Sequence, residues 1–262
     1  MGEPAILYEA RNGLGYITLN RPEALNSFTK PSLDLLADIL TRCKDDETCR
    51  AVIITGAGEK AFSAGADLNT FLQEVAKPIG GKEWSRYGQR AFAVLDLLGK
   101  PSVAALNGLT IGGGLELSLA CTFRIASEKA RLGFSEITLG FLPGWGGTSR
   151  MTKLIGKTRA AELVLTGDLI SAEEALRLGV VSKVVPPQEL IPASEALLSR
   201  IIKHSPIAVS VALEAVHYAQ YQPLEEAMIL ESNLGGLACD SEDAKEGLRA
   251  FLEKRKPNFK GR

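Results

Sequence analysis

The sequence predicts an α/β fold of strand–helix crossover units that gives way to a helical C-terminal region. Two observations carry this. Short apolar runs closed by glycine alternate with helix-spaced stretches up to about Thr148, and beyond that residue the apolar spacing turns helical. A third observation sets the scale: 262 residues, 45% hydrophobic and 23% charged, suit one large domain with an ordinary buried core.

The elements follow in order. Ile6-Leu7-Tyr8 and Tyr16-Ile17-Thr18-Leu19 flank Asn12-Gly13, a tight-turn pair that predicts a hairpin. Leu33, Leu36, Ile39 and Leu40 recur at helical spacing after the start signals Pro31 and Ser32. Ala51-Val52-Ile53-Ile54-Thr55 is a continuous apolar run closed by Gly56 and Gly58, as expected of a strand buried on both faces. A helix is expected over residues 85–98, stopped by Gly99 and Pro101. Ser102-Val103-Ala104-Ala105-Leu106 reads as a second buried strand, residues 115–121 as a helix and residues 122–126 as a strand. The clearest later helices are 158–166, 171–178, 187–204, 206–218 and 244–254. No internal repeat or long linker appears, so the division into a core of residues 1–190 and a helical region of residues 191–262 is soft.

Several function classes are disfavoured. With 30 basic and 31 acidic side chains the net charge of -1 gives no reason to expect a nucleic-acid partner. Cys43, Cys49, Cys121 and Cys239 fall at unrelated spacings, so neither a zinc site nor a disulfide framework is expected, and metal ligands are expected to be none. No apolar run reaches the roughly 20 residues of a membrane span, and the first residues lack a targeting pattern, which makes the cytoplasm the expected compartment. Gly156-Lys157-Thr158 mimics the end of a P-loop, but Met151 stands where the glycine is needed, leaving a helix start as the reading. Leu117 stands where a dinucleotide fingerprint needs its last glycine. His204 and His217 read as helix-packing residues, and the basic final residues, taken alone, as a solvated tail.

Two carboxylates beside glycine-rich turns remain. Glu116 follows Gly112-Gly113-Gly114, and Glu136 precedes Gly140, Gly144, Gly146 and Gly147. Such turns expose N–H groups, and donors for an oxyanion beside proton-moving carboxylates are the parts of an enolate-forming site. Either glutamate alone also fits a surface or helix-start acid, and Ala61 to Leu68 alone fits a plain strand-to-helix connection.

Taken together, these segments resemble the enoyl-CoA hydratase/isomerase (crotonase) family along nearly the whole chain. The matching pieces are Asn20-Arg21-Pro22-Glu23-Ala24-Leu25-Asn26, Ala61 through Leu68, Ala105-Leu106-Asn107-Gly108 with Gly112 to Glu116, Phe134-Ser135-Glu136 with Leu139-Gly140, Pro143-Gly144 with Gly146-Gly147-Thr148, and Phe251 through Lys260. The resemblance implies a crotonase-type ββα spiral core with a C-terminal helical trimerisation region, in homotrimers or homohexamers. It implies that the amides of Ala66 and Gly113 form the oxyanion hole, and that Ala24, Ala66, Asp67, Leu68 and Asn69 line the coenzyme A site. Phe251 and Lys254 would reach the coenzyme A of a neighbouring subunit, and Gly144 would orient the catalytic water. Both glutamates together imply a hydratase acting on an acyl-CoA, with no cofactor beyond the coenzyme A of its substrate. A Δ3,Δ2-enoyl-CoA isomerase, for which the position of Glu136 alone suffices, and a non-catalytic binding protein are the alternatives. Trp145, between Gly144 and Gly146, either shapes the acyl pocket or packs behind the turn, with packing favoured. Residues 72–84, with Gly80 and Gly81, read as a mobile segment beside the pocket.

Overall fold

The computed structural model describes residues 3–262. β1 (Ile6–Arg11) and β2 (Leu14–Leu19) form the expected antiparallel hairpin, with Asn12 and Gly13 at φ +53° and +77° in its turn. Two left-handed residues in succession give a turn whose twist matches the flanking strands. Helix α1 (Lys30–Asp45) starts on a capping box in which Thr29 and Ser32 exchange side-chain and backbone hydrogen bonds, and buries the expected Leu33, Leu36, Ile39 and Leu40.

From there each turn of the chain gives one strand to each of two sheets. β3 (Ala51–Gly56) leads to β4 (Ala61–Ser63), then to α2 (Leu68–Val75) and α3 (Gly80–Asp96). β5 (Ser102–Leu106) leads to β6 (Leu109–Ile111) and α4 (Gly113–Ala120). β7 (Phe123–Ser127) leads to β8 (Arg131–Gly133), a 3-10 turn over Glu136–Leu139, and α5 (Gly147–Ile155). This is the ββα spiral that the resemblance implies. After α6 (Lys157–Thr166) come β9 (Ile170–Ser171), α7 (Ala172–Leu178) and β10 (Lys183–Val185). The larger sheet runs β1-β2-β3-β5-β7-β10, parallel except for β1, and the smaller β4-β6-β8-β9, parallel except for β9.

β3 is a continuous apolar run because both its faces are covered. Val52 and Ile54 join the main core with Phe62, Phe92 and Leu115, while Ala51 and Ile53 pack with Leu190 and Leu198 of α8 (Leu190–Ile201) on the opposite face. α9 (Pro206–Ala219), α10 (Leu224–Asp240) and α11 (Glu242–Leu252) complete the chain; α10 carries no expectation from the spacing, because its apolar residues ring the helix instead of forming a stripe.

Residues 72–84, expected as a mobile segment, are mostly helical: α2 ends at Val75 and α3 begins at Gly80, five residues before the predicted start. Gly80 serves a close contact there, since a β-carbon would lie 1.9 Å from the Glu74 carbonyl oxygen. Gly156 caps α6 at φ +82°, so Gly156-Lys157-Thr158 is the helix start expected of it.

Candidate active site

The segment of residues 20–26 acts as a brace. The Asn26 amide donates to the carbonyls of Ala57 and Ala61, its Oδ1 accepts from Arg21 N–H, and Arg21 pairs with Asp67 at 3.2 Å. Ser63 adds a knot, donating to the Asn26 carbonyl and accepting from Gly65 N–H. Phe28 then pairs with Ala66 in parallel fashion, bonding to Gly65 O and Asp67 N. In that pattern the N–H of Ala66 itself points away from Phe28. Gly113 is the first residue of α4, so its N–H is one of the donors a helix start leaves without an internal acceptor.

Ala66, Gly113, Glu116, Glu136, Gly144, Trp145 and Leu68 line one cavity of about 460 Å³. Its wall also includes Phe71, Trp84, Ser85 and Phe141, of which only Trp84 falls where the sequence pointed to pocket residues. Phe71 was missed because apolar spacing on a helix does not distinguish a cavity wall from a core face, and Ser85 and Phe141 because a single serine on α3 and a lone aromatic after the Glu136–Leu139 turn carry no pattern at all. Ala24, Asp67 and Asn69 stand outside this cavity. Asp67 caps α2, accepting from Thr70 N–H at 3.1 Å. Phe251, at the end of α11, is 82% exposed, and Lys254 beyond it is exposed at φ +55°; neither lines the cavity of its own chain.

Glu116 is 2% exposed, and its Oε1 accepts two hydrogen bonds of 2.7 Å, from the N–H groups of Trp145 and Gly147. Burial, reinforced by the charge of Glu136, pushes its carboxyl up to about 8 against the pull of those two donors. Burial likewise raises Glu136 to about 7, and its Oε2 is buried without a hydrogen-bond partner among the described residues. Near neutrality burial therefore leaves both carboxyls partly protonated, Glu116 the more so. The two donors pull Glu116 toward its charged form without overcoming its burial, and the bare Oε2 of Glu136 has no donor that would favour a charge there.

Glycine is required at each contact. At Gly112 (φ +52°) a β-carbon would lie 2.7 Å from Glu136 Oε1, and at Gly147 it would lie 2.8 Å from Glu116 Cγ. Trp145, 3% exposed, packs behind the turn as favoured. Its ring packs against Phe28, Trp84 and Phe92 and donates from Nε1 to the Trp84 carbonyl, and the residue also borders the cavity.

Residues 9–262 match the enoyl-CoA hydratase/isomerase family. The chain is 40% identical to a crotonyl-CoA hydratase of Syntrophomonas wolfei over 97% of both chains. It is 38% identical to an (E)-benzylidenesuccinyl-CoA hydratase of Thauera aromatica, covering 98% of this chain and 99% of that one. A crystal structure of an enoyl-CoA hydratase from Bacillus anthracis superposes with a TM-score of 0.94 at 39% identity, covering 99% of this chain and all of the other. With the fold, the paired glutamates and these relatives in agreement, the chain belongs to the enoyl-CoA hydratase/isomerase family.

Proposed function

We propose that the protein is a hydratase that reversibly adds water to a 2-enoyl-CoA thioester, giving a 3-hydroxyacyl-CoA. The observation that carries this is the pair of buried carboxyls, Glu116 and Glu136, facing one cavity beside the amides of Ala66 and Gly113. The thioester oxygen accepts from those two amides, which stabilise the enolate as charge develops on it. Glu116 removes a proton from water as the oxygen bonds to C3, with Gly144 N–H orienting that water. The electrons of the C2=C3 bond pass into the enolate, which collapses as Glu136 delivers a proton to C2. The reaction is redox-neutral and needs only the chain's own acid and base, so no cofactor is proposed.

Isomerisation of a 3-enoyl-CoA needs one carboxyl to carry a proton from C2 to C4. The two donors on Glu116 Oε1 are then without purpose, and this favours hydration. Loss of the conjugated thioester absorbance of crotonyl-CoA, followed after EDTA treatment, is the test; inactivity on short, medium and cyclic enoyl-CoAs would sink the reading. Relatives of nearly equal identity carry crotonyl and benzylidenesuccinyl names, so identity does not choose the acyl group.

Assembly into trimers or hexamers is part of the proposal. Val216 on α9 and Met228, Ile229 and Leu237 on α10 are all more than half exposed in the single chain, an apolar surface that association would cover. Phe251 and Lys254 then complete the coenzyme A site of a neighbour, while Ala24, Asp67, Leu68 and Asn69 serve the chain's own.

A further inference from the structure

The turn that delivers two N–H groups to Glu116 is itself held from behind. Gln89 of α3 donates to the Gly144 carbonyl at 2.8 Å. Arg150, on the first turn of α5, donates from Nη1 to the Trp145 carbonyl at 3.3 Å. Its Nη2 reaches Asp96 Oδ2, the last residue of α3, at 2.5 Å, with both side chains mostly buried. The guanidinium fills space that only glycine leaves, since a β-carbon on Gly146 (φ +110°) would lie 2.2 Å from Arg150 Nη1. Both backbone polar groups of Trp145 are therefore taken, its N–H by Glu116 and its carbonyl by Arg150.

We propose that Arg150, fixed by Asp96, is the positioning residue that holds the turn gripping Glu116 and so favours the charged form of that carboxyl. It touches no reacting atom and does not line the cavity. Its effect passes mainly through the Trp145 to Gly147 turn, and its charge adds a smaller pull that opposes that of Glu136. A bidentate guanidinium can hold a carboxylate and a carbonyl in fixed relation, which an ammonium cannot do equally well. The inference rests on the hydratase reading only for the name of the step that Glu116 performs.

The experiment compares Arg150→Met, Arg150→Lys and Asp96→Asn by steady-state kinetics on crotonyl-CoA and by 13C NMR titration of the Glu116 carboxyl, assigned with Glu116→Gln. Arg150→Met is expected to lower kcat about 10- to 100-fold, the scale of a small misplacement of a reacting group. KM should stay within about threefold, since ground-state binding is not touched. The Glu116 titration should move to higher pH, because a cation and well-held donors are lost together. Arg150→Lys should restore the titration while recovering kcat only in part, and Asp96→Asn should lower kcat with KM unchanged. An unmoved Glu116 titration with kcat within twofold of the unmodified protein overturns the inference. So does an equal kcat loss in the Met and Lys variants with neither titration moved, which marks a plain structural ion pair. Should Arg150→Met fail to fold, the other two variants decide by the same readings. Lack of turnover in the unmodified protein sinks the hydratase reading instead, and the Glu116 titration still decides this one.

Discussion

Gly65 and Gly113 approach so closely that a β-carbon on Gly65 would lie 2.6 Å from the Gly113 amide nitrogen. One of these residues precedes Ala66 and the other carries the second proposed donor, so the spacing of the oxyanion hole depends on an absent side chain. Gly65 also sits at φ +84°, where an alanine is strained. Gly65→Ala is expected to lower kcat by roughly 10²–10³, as loss of one oxyanion donor does, with a smaller change in KM. Stopped-flow or steady-state hydration of crotonyl-CoA checks it; near-native kcat would place the oxyanion donors elsewhere.

Removing either carboxyl should be costly. Glu116→Gln and Glu136→Gln are each expected to lower kcat by about 10²–10⁴, the range for a positioned acid or base. If Glu116→Gln keeps full hydration and also shifts 3-enoyl-CoA to 2-enoyl-CoA, the isomerase reading replaces the hydratase.

The same substitution should change how stability depends on pH. Glu116 is raised from 4.5 to about 8 in the folded chain. The folded state therefore binds this proton more tightly than the unfolded state, and that stabilisation is complete below 4.5 and lost as pH rises through about 8. Glu116→Gln cannot ionise, so its melting temperature should exceed the parent's at pH 9, with the advantage shrinking steadily toward pH 5. A gain of about 1 kcal/mol corresponds to roughly 2–4 °C in a chain of this size. Calorimetry across that range settles it, and a difference independent of pH would contradict the raised carboxyl.

Trp145→Ala removes a ring from both the core and the cavity wall. A loss of about 3–5 kcal/mol in stability is expected from the core side. On the cavity side, relative kcat/KM for short against bulky enoyl-CoAs should change by roughly 1–3 kcal/mol. A substrate panel on both proteins separates the two effects: superimposable preference profiles would make the ring a packing residue alone.

Cutting the chain before Phe251 should raise KM for acyl-CoA more than it lowers kcat, because a uniform binding contact with a neighbour is removed. Light scattering of the full-length protein should show trimers or hexamers; a fully active monomer would contradict the shared site.

Much of the spiral was legible because glycines close its buried strands, as Gly56 at the end of β3 and Gly58 beyond it do. The three-residue strands β4, β6 and β8 were not, since so short a run has no period to detect. The repeat itself was invisible because the excursion after β4 carries two helices and the one after β6 a single short one. Glu116, Glu136 and their glycines could be found from sequence because backbone donors leave a glycine signature. Arg150 and Asp96 could not: 54 residues separate them, and nothing local marks a charged pair behind a turn.

That uneven excursion divides the labour of the molecule. The proposed chemistry sits on short, glycine-locked turns that tolerate little, whereas residues 68–96 form a two-helix excursion that supplies Phe71, Trp84 and Ser85 to the cavity. Its two helices differ in freedom: α3 buries Trp84, Phe92 and Leu95 in the core and holds the Glu116 turn through Gln89 and Asp96, whereas α2 buries no residue fully, so sequence drift on α2 can retune which acyl group fits at the least cost to the oxyanion hole. On α3 Gly88 sets the limit, because a β-carbon there would lie 2.2 Å from Trp145 Cγ. Any variant of α3 must keep that notch or lose the indole, and with it the turn that grips Glu116.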